Sequence, residues 1–116
     1  ATYCGYPDAE RDNRIMEMNF GDWEMKNFDE ISDPRLKEWY ADYINVPATN
    51  GESFAIQYQR VASFLDELKE KNYEKVAIFA HGGVLICAQL YAGAIKQEEA
   101  FSALTPYGGI IQLRLD

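Results

Sequence analysis

Residues 76–83 read Val-Ala-Ile-Phe-Ala-His-Gly-Gly, and the prediction of the fold starts from this stretch. An apolar run leads directly into the only histidine of the chain, His81, and a helical apolar pattern follows from Val84 to Ala94. This order predicts a buried strand, a tight turn and a helix. Ligands of open α/β sheets bind beyond the carboxyl ends of strands, and the first backbone N–H groups of a helix favour anions. His81 is therefore placed to hold a phosphate, the alternative being a histidine that only closes a strand end.

The segments around this stretch predict an α/β protein. Apolar residues recur at helical spacing in two earlier segments, and alternation marks a second strand at the end of the chain. The predicted elements are a helix at Pro34–Tyr43 capped by Ser32 or Asp33, a loop at Asn45–Gly51, a helix at Ser53–Lys71, a strand at Lys75–Ala80, a helix at Val84–Ala94 and a strand at Ile110–Leu115. Because the first strand is apolar on both faces, it reads as a central parallel strand that needs neighbours. The sequence does not supply them, which indicates that part of the sheet is missing.

The composition is that of one globular domain. The chain has 116 residues, 47% of them hydrophobic and 26% charged. The formal charge of −8 argues against nucleic acid as a partner, although local cations near a cleft can still attract a small phosphorylated substrate. No apolar run approaches the length of a membrane span, and no signal peptide is visible. Cys87 lies in an apolar helical pattern, so a reduced thiol and a cytoplasmic location are expected.

Two further segments carry candidate site residues. Glu17 stands between two methionines in an acidic, aromatic stretch at residues 14–24. A carboxyl group with apolar flanks suits a general acid, while on composition alone a surface loop with core anchors is the better interpretation. Ser53 opens the long helix, where it caps the helix or, alternatively, contacts a phosphate. One histidine and two distant cysteines do not make a zinc site, and neither a metal nor a cofactor is expected.

Taken together, these segments resemble the histidine phosphatase superfamily, which includes the cofactor-dependent phosphoglycerate mutases. The resemblance rests on three motifs in order: Met16-Glu17-x-x-Phe20-Gly21-x-Trp23-Glu24, then Gly51-Glu52-Ser53, then His81-Gly82-Gly83. Within the superfamily, the stretches Glu17–Glu24 and Trp39–Leu65 look most like the α-ribazole phosphatases of cobalamin biosynthesis. The resemblance implies a three-layer α/β/α fold with a mostly parallel sheet.

The resemblance also implies a reaction and a set of roles. A histidine nucleophile attacks a phosphomonoester, and water hydrolyses the resulting phosphohistidine. Glu17 corresponds to the acid that protonates the leaving oxygen, and His81 to the second histidine, which binds the phosphoryl group. Backbone donors near Gly82 add to the substrate site, since preorganised donors contribute strongly to catalysis. Ser53 is a candidate for the rim of that site.

The chain departs from the family pattern in one large respect. The Arg-His-Gly motif with the nucleophilic histidine is absent, and so is the second phosphate-binding arginine. Arg11 and Arg14 match neither family arginine. We therefore expect residues 1–116 to be the C-terminal portion of a single phosphatase domain, inactive alone, that self-associates or contacts a missing N-terminal segment. The alternatives are another phosphatase or mutase of the superfamily, and a non-catalytic binding module.

Overall fold

The structure is a computed structural model that describes residues 4–100 and 104–115. Its described part contains three α-helices: α1 at Arg35–Ala41, α2 at Phe54–Glu70 and α3 at Gly82–Tyr91. Short 3₁₀ turns precede α1, among them Asn13–Ile15 and Gly21–Trp23, and another, Gln97–Glu99, follows α3. The three helices agree with the predicted ones within a few residues at each end.

The pairing of α2 with α3 forms the main core. On α2 the side chains of Phe54, Gln57, Val61 and Leu65 are buried, which is one helical face. On α3 the buried side chains include Val84, Ile86 and Cys87. The cluster that these helices share has the following buried members: Met18, Phe54, Val61, Leu65, Val84, Ile86, Cys87 and Ala100. Met18 brings the segment around Glu17 onto the same core.

A second, aromatic cluster holds α1. Trp23 and Trp39 are buried edge to face, with ring centroids 5.9 Å apart. The N-cap residue of α1 is Pro34, so neither predicted cap, Ser32 nor Asp33, holds that position. Asp33 nevertheless accepts a hydrogen bond from the backbone N–H of Arg35 at 2.9 Å. Its other oxygen accepts from the Trp23 indole at 3.2 Å. The short helix is therefore fastened to the loop that follows Glu17.

The predicted mostly parallel sheet is wrong for the described residues, none of which forms a strand. Residues 75–80 and 110–115 run without regular secondary structure. The earlier segment does pack Ile78 and Ala80 against the core, while Val76 is 48% and Phe79 43% exposed. A strand forms only where a neighbouring segment pairs with its backbone N–H and C=O groups. The two runs are separated and do not pair with each other.

The start of α3 also differs from the prediction. The helix begins at Gly82 rather than at Val84, and His81 is its N-cap residue with φ −128° and ψ 167°. The two glycines therefore form the first helical turn instead of a separate tight turn. None of the described helices is long and apolar enough to cross a membrane.

Candidate functional site

The carboxylate of Glu17 lies at the start of α3, held by three N–H groups. Its Oε1 accepts from the backbone N–H of Met18 at 2.9 Å and from Nε2 of Gln57 at 3.1 Å. Its Oε2 accepts from the backbone N–H of Gly83 at 3.3 Å. The acidic motif and the His-Gly-Gly motif, far apart in sequence, are thus brought together, with the carboxylate where helix electrostatics favour negative charge.

Gly83 is required for this approach. A Cβ at position 83 would lie 2.4 Å from Oε1 of Glu17 and 2.9 Å from Nε2 of Gln57. Neither atom can move without breaking the hydrogen bonds around the carboxylate. The second glycine after the histidine therefore makes room for the acid as well as donating to it.

His81 is positioned by its backbone and leaves its ring available. Its carbonyl accepts the first intrahelical bond, from Leu85 N–H at 3.0 Å. Its side chain makes no capping hydrogen bond, and the residue is exposed. The imidazole stands two residues before the N–H that holds Glu17, so both groups belong to the same end of α3.

Arg60 fixes the backbone that carries Glu17. Its Nη1 donates to the carbonyls of Arg14 at 2.9 Å and Met16 at 2.7 Å, and its Nη2 donates to the carbonyl of Glu17 at 3.2 Å. The same guanidinium makes a bidentate pair with Glu52, with two contacts of 2.8 Å. Hydrogen bonding to Arg60 lowers the pKa of the Glu52 carboxyl below its usual range. One planar donor group thus ties the start of α2 to the acidic segment.

Gln57 and Cys87 lie beneath the carboxylate. Gln57 has an exposed fraction of 0%, and so has Cys87. Burial raises the pKa of the Cys87 thiol to about 12, so the thiol stays protonated. The structure thus confirms that Cys87 is a buried free thiol. Cys87 supplies volume under the site, whereas Gln57 supplies a donor to it.

Sequence reasoning missed both Gln57 and Arg60. A signal for Gln57 was present: it is a polar residue on the apolar face formed by Phe54, Val61 and Leu65. For Arg60 the signal was weaker, because a charged residue on a long helix is ordinarily solvated. The carbonyl groups that it binds around Glu17 lie 43 to 46 residues away in sequence, a separation that no local pattern reveals.

The remaining predicted site residues are distributed as follows. Gly82 is half-buried beside His81, and a Cβ there would meet the end of the Leu104 side chain at 2.7 Å.

Ser53 is 3% exposed, and its Oγ accepts from the backbone N–H of Ile56 at 3.3 Å as the cap of α2. In the described part of the chain, no hydrogen bond joins Ser53 to Glu17 or to α3. Its place at a substrate rim stays a prediction.

Arg14 is engaged in ion pairs on the outer side of α2. Its Nη2 lies 2.7 Å from Asp12 and 2.6 Å from Glu67, and its guanidinium covers the Phe64 ring. Among the residues that the structure describes, no group of three or more His, Cys, Asp and Glu side chains is arranged to hold a metal ion. The chemistry that this arrangement offers is that of a carboxyl group, an imidazole and helix N–H donors.

Several curated proteins are similar in sequence to this chain. Adenosylcobalamin/alpha-ribazole phosphatase of Escherichia coli is 36% identical over 75 residues, which are 61% of this chain and 37% of that protein. The Salmonella typhimurium protein of the same name is 34% identical over the same shares. A Hydrogenobacter thermophilus protein named "Putative phosphoserine phosphatase 2" is 28% identical over 108 residues, 90% of this chain and 53% of that protein. The chain spans about half, or less, of the length of these curated relatives.

A family model gives the broader result. The model of the histidine phosphatase superfamily (branch 1) matches residues 3–116. The match takes in the segment of Glu17, the start of α2 and the His-Gly-Gly turn of α3, and it agrees with the resemblance seen in the motifs. Because it covers almost the whole chain, this chain belongs to the histidine phosphatase superfamily (branch 1).

Proposed function

We propose that the complete protein hydrolyses a phosphomonoester through a phosphohistidine intermediate, with α-ribazole 5'-phosphate as its substrate. One observation carries the proposal: the Glu17 carboxylate is fixed at the same helix start as the exposed imidazole of His81. A carboxyl group that can deliver a proton and an imidazole that can bind phosphoryl oxygens are what this reaction needs.

The proposed steps follow from those two groups. A nucleophilic histidine, which is not the one in this chain, forms a P–N bond as the P–O bond to the leaving group breaks. The electron pair stays on the leaving oxygen, which takes the proton from Glu17. His81 and the N–H groups near Gly82 bind the phosphoryl oxygens. Water then attacks phosphorus and gives a proton to Glu17, and the histidine nitrogen is released.

The relatives support two substrates to different degrees. The two cobalamin-related phosphatases have the higher identities, 36% and 34%, and support α-ribazole 5'-phosphate. The relative with a phosphoserine name has the lower identity of 28% but matches 90% of this chain. Phosphoserine is therefore the second candidate substrate.

Residues 1–116 are proposed as the C-terminal portion of one phosphatase domain, inactive without the rest.

The experiment uses the complete reading frame that contains this chain. The purified protein is assayed with α-ribazole 5'-phosphate, phosphoserine and p-nitrophenyl phosphate, as wild type and as Glu17→Gln. We expect α-ribazole 5'-phosphate to give the highest kcat/KM, and Glu17→Gln to lower it by roughly 10² to 10⁴-fold, the range of a lost general acid. Glu70→Gln, an exposed carboxyl at the end of α2, is the matched control.

Four results would count against the proposal. A higher kcat/KM for phosphoserine would replace the substrate with the second candidate. Absence of turnover with all three compounds, or a reading frame without an Arg-His-Gly segment, would favour a non-catalytic binding module. Turnover by residues 1–116 alone that His81→Ala abolishes would contradict the inactivity of this part.

A further inference from the structure

Gln57 is the least expected polar side chain of the described core. It is fully buried on the face of α2 that packs against α3. Its Nε2 donates to Oε1 of Glu17 at 3.1 Å. Its Oε1 has no hydrogen-bond partner among the described residues. An apolar side chain of the same length would fill this volume without leaving a buried acceptor unpaired.

We infer that Gln57 is a positioning residue that makes Oε2 of Glu17 the oxygen that transfers the proton. The inference rests on the proposed function and deepens it, because it assigns the two oxygens of the acid different tasks. Oε1 accepts two hydrogen bonds, from Met18 N–H and from Gln57, which occupy its two lone pairs. Oε2 accepts only the longer bond from Gly83 and keeps a lone pair for a proton.

The orientation of the Gln57 amide follows from its surroundings. With the amide turned over, its oxygen would face Oε1 of Glu17, and two acceptors would meet at hydrogen-bond distance. The NH₂ group therefore points to the carboxylate. Because the side chain is enclosed between α2 and α3, it cannot swing away, and Gly83 leaves no Cβ to push it aside.

The consequence for the reaction is a fixed direction of proton delivery. As the P–O bond breaks, its electron pair stays on the leaving oxygen. That oxygen takes the proton from Oε2, and Glu17 is left as a carboxylate. Without Gln57, Oε1 keeps only the Met18 N–H, and the proton can reside on either oxygen. Fewer acid groups then point their proton at the leaving oxygen, so substrates that depend on protonation are affected most.

The dependence on the leaving group separates this role from a structural one. The alkoxide of an alkyl phosphate is a poor leaving group and must be protonated by the general acid as it departs. The p-nitrophenolate ion is a good leaving group and departs with little protonation. In the complete protein we expect Gln57→Met to lower kcat/KM about tenfold for an alkyl phosphomonoester such as phosphoserine and less than about threefold for p-nitrophenyl phosphate. Gln59→Met, an exposed neighbour on α2, should leave both values unchanged.

Equal losses with both substrates, or no loss with either, would overturn the inference. Glu17→Gln is measured in parallel, so that failure of the inference about Gln57 can be told apart from failure of the proposed function. If Glu17 is the general acid, Glu17→Gln must lose more kcat/KM with the alkyl phosphate than with p-nitrophenyl phosphate. An inactive wild type refutes the function and the inference together, while an active wild type with a normal Gln57→Met refutes only the inference. Melting curves of the variants check that a loss is not caused by unfolding.

Discussion

At the scale of single residues, Glu17 is held by three parts of the chain at once. Its donors are the next residue in its own loop, a side chain of α2 and the first turn of α3. A carboxylate held in this way has little conformational freedom left to lose when it reacts, because it is already in position before the substrate binds. The same arrangement makes the site sensitive to small changes at its closest contact.

That closest contact leads to a prediction for Gly83→Ala. The added Cβ would stand 2.4 Å from Glu17 Oε1, so the carboxylate or α3 must shift. We expect kcat/KM of the complete protein to fall at least about 100-fold, because a shift of a reacting group by about 1 Å has an effect of this size.

The matched comparison is Gly82→Ala. At Gly82 the clash is with the end of the Leu104 side chain, which can move, so the melting temperature should fall more for Gly83→Ala than for Gly82→Ala. The reverse order would contradict the geometry.

The sequence allowed only some of these residues to be identified. Glu17 and His81 were predicted as site residues because their motifs resemble a family, and the structure brings Glu17 next to the N–H of Gly83 in the His-Gly-Gly motif. Their catalytic roles stay predictions. Gln57 was not found, because its bond to Glu17 spans 40 residues and depends on how α2 packs on α3. Tertiary contacts of this kind leave no periodic trace in the chain.

At the scale of elements, α2 organises the site. Its N-cap residue Ser53 and two residues of its first two turns, Gln57 and Arg60, have the spacing that aligns side chains along one side of a helix. The first caps the helix, the second binds the Glu17 carboxylate and the third binds the backbone around it. The acid is therefore positioned by a helix rather than by its own loop alone.

The pair of Glu52 with Arg60 predicts a pH dependence of stability. The pKa of Glu52 is lowered in the folded chain from its ordinary 4.5, chiefly by hydrogen bonds from Arg60. Its contribution is therefore present above pH 4.5 and is lost as the pH falls through the lower folded-state value. We expect Glu52→Gln to reduce the free energy of unfolding by about 2 kcal/mol near pH 7 and by much less near pH 3.

Chemical denaturation at several pH values measures this difference. Glu70→Gln, which removes an exposed carboxyl from the same helix, should give a small difference at every pH. A Glu52→Gln difference that stays constant or grows as the pH falls would contradict the assigned role of the ion pair.

The cap of α2 gives a second prediction at this scale. Ser53→Ala removes the acceptor for the backbone N–H of Ile56, and we expect a loss of about 1 kcal/mol in the free energy of unfolding. Ser32→Ala, at an exposed position, should change it little. A KM that rises in Ser53→Ala beyond the effect of stability would support the predicted substrate rim, and an unchanged KM would limit Ser53 to capping.

The helices could be predicted from the sequence, and the sheet could not. The apolar spacing of α2 and its capping serine fixed that helix almost to the residue. The runs at residues 75–80 and 110–115 have strand-like composition, yet strand formation depends on partners that composition does not report. In the described residues those partners are missing, and the two segments have no regular secondary structure.

At the scale of the whole molecule, the chain exposes more surface than its mass requires. Its accessible area is 8606 Å², against about 6,500 Å² for a folded monomer of 13.3 kDa. Large apolar side chains contribute to the excess, including Tyr6 at 53%, Phe79 at 43% and Ile110 at 88% exposure. Apolar area of this kind favours association.

Self-association of the isolated 116-residue chain therefore stays a prediction with a direct measurement. Light scattering should give a mass above 13.3 kDa, and the mass should increase with salt because the net charge of −8 opposes contact between copies. A monomer at all salt concentrations that also fails to bind a hydrophobic dye would contradict it.

The most direct test of a shared site uses a double-mutant cycle in the complete protein. The kcat/KM for α-ribazole 5'-phosphate is measured for wild type, Glu17→Gln, His81→Ala and the double variant. Groups that act on one reacting centre lose activity non-additively. We expect each single variant to lose at least about 100-fold in kcat/KM, and the double variant to lie within about tenfold of the less active single variant. Losses that multiply, or a single variant with nearly full activity, would contradict a common site at the start of α3.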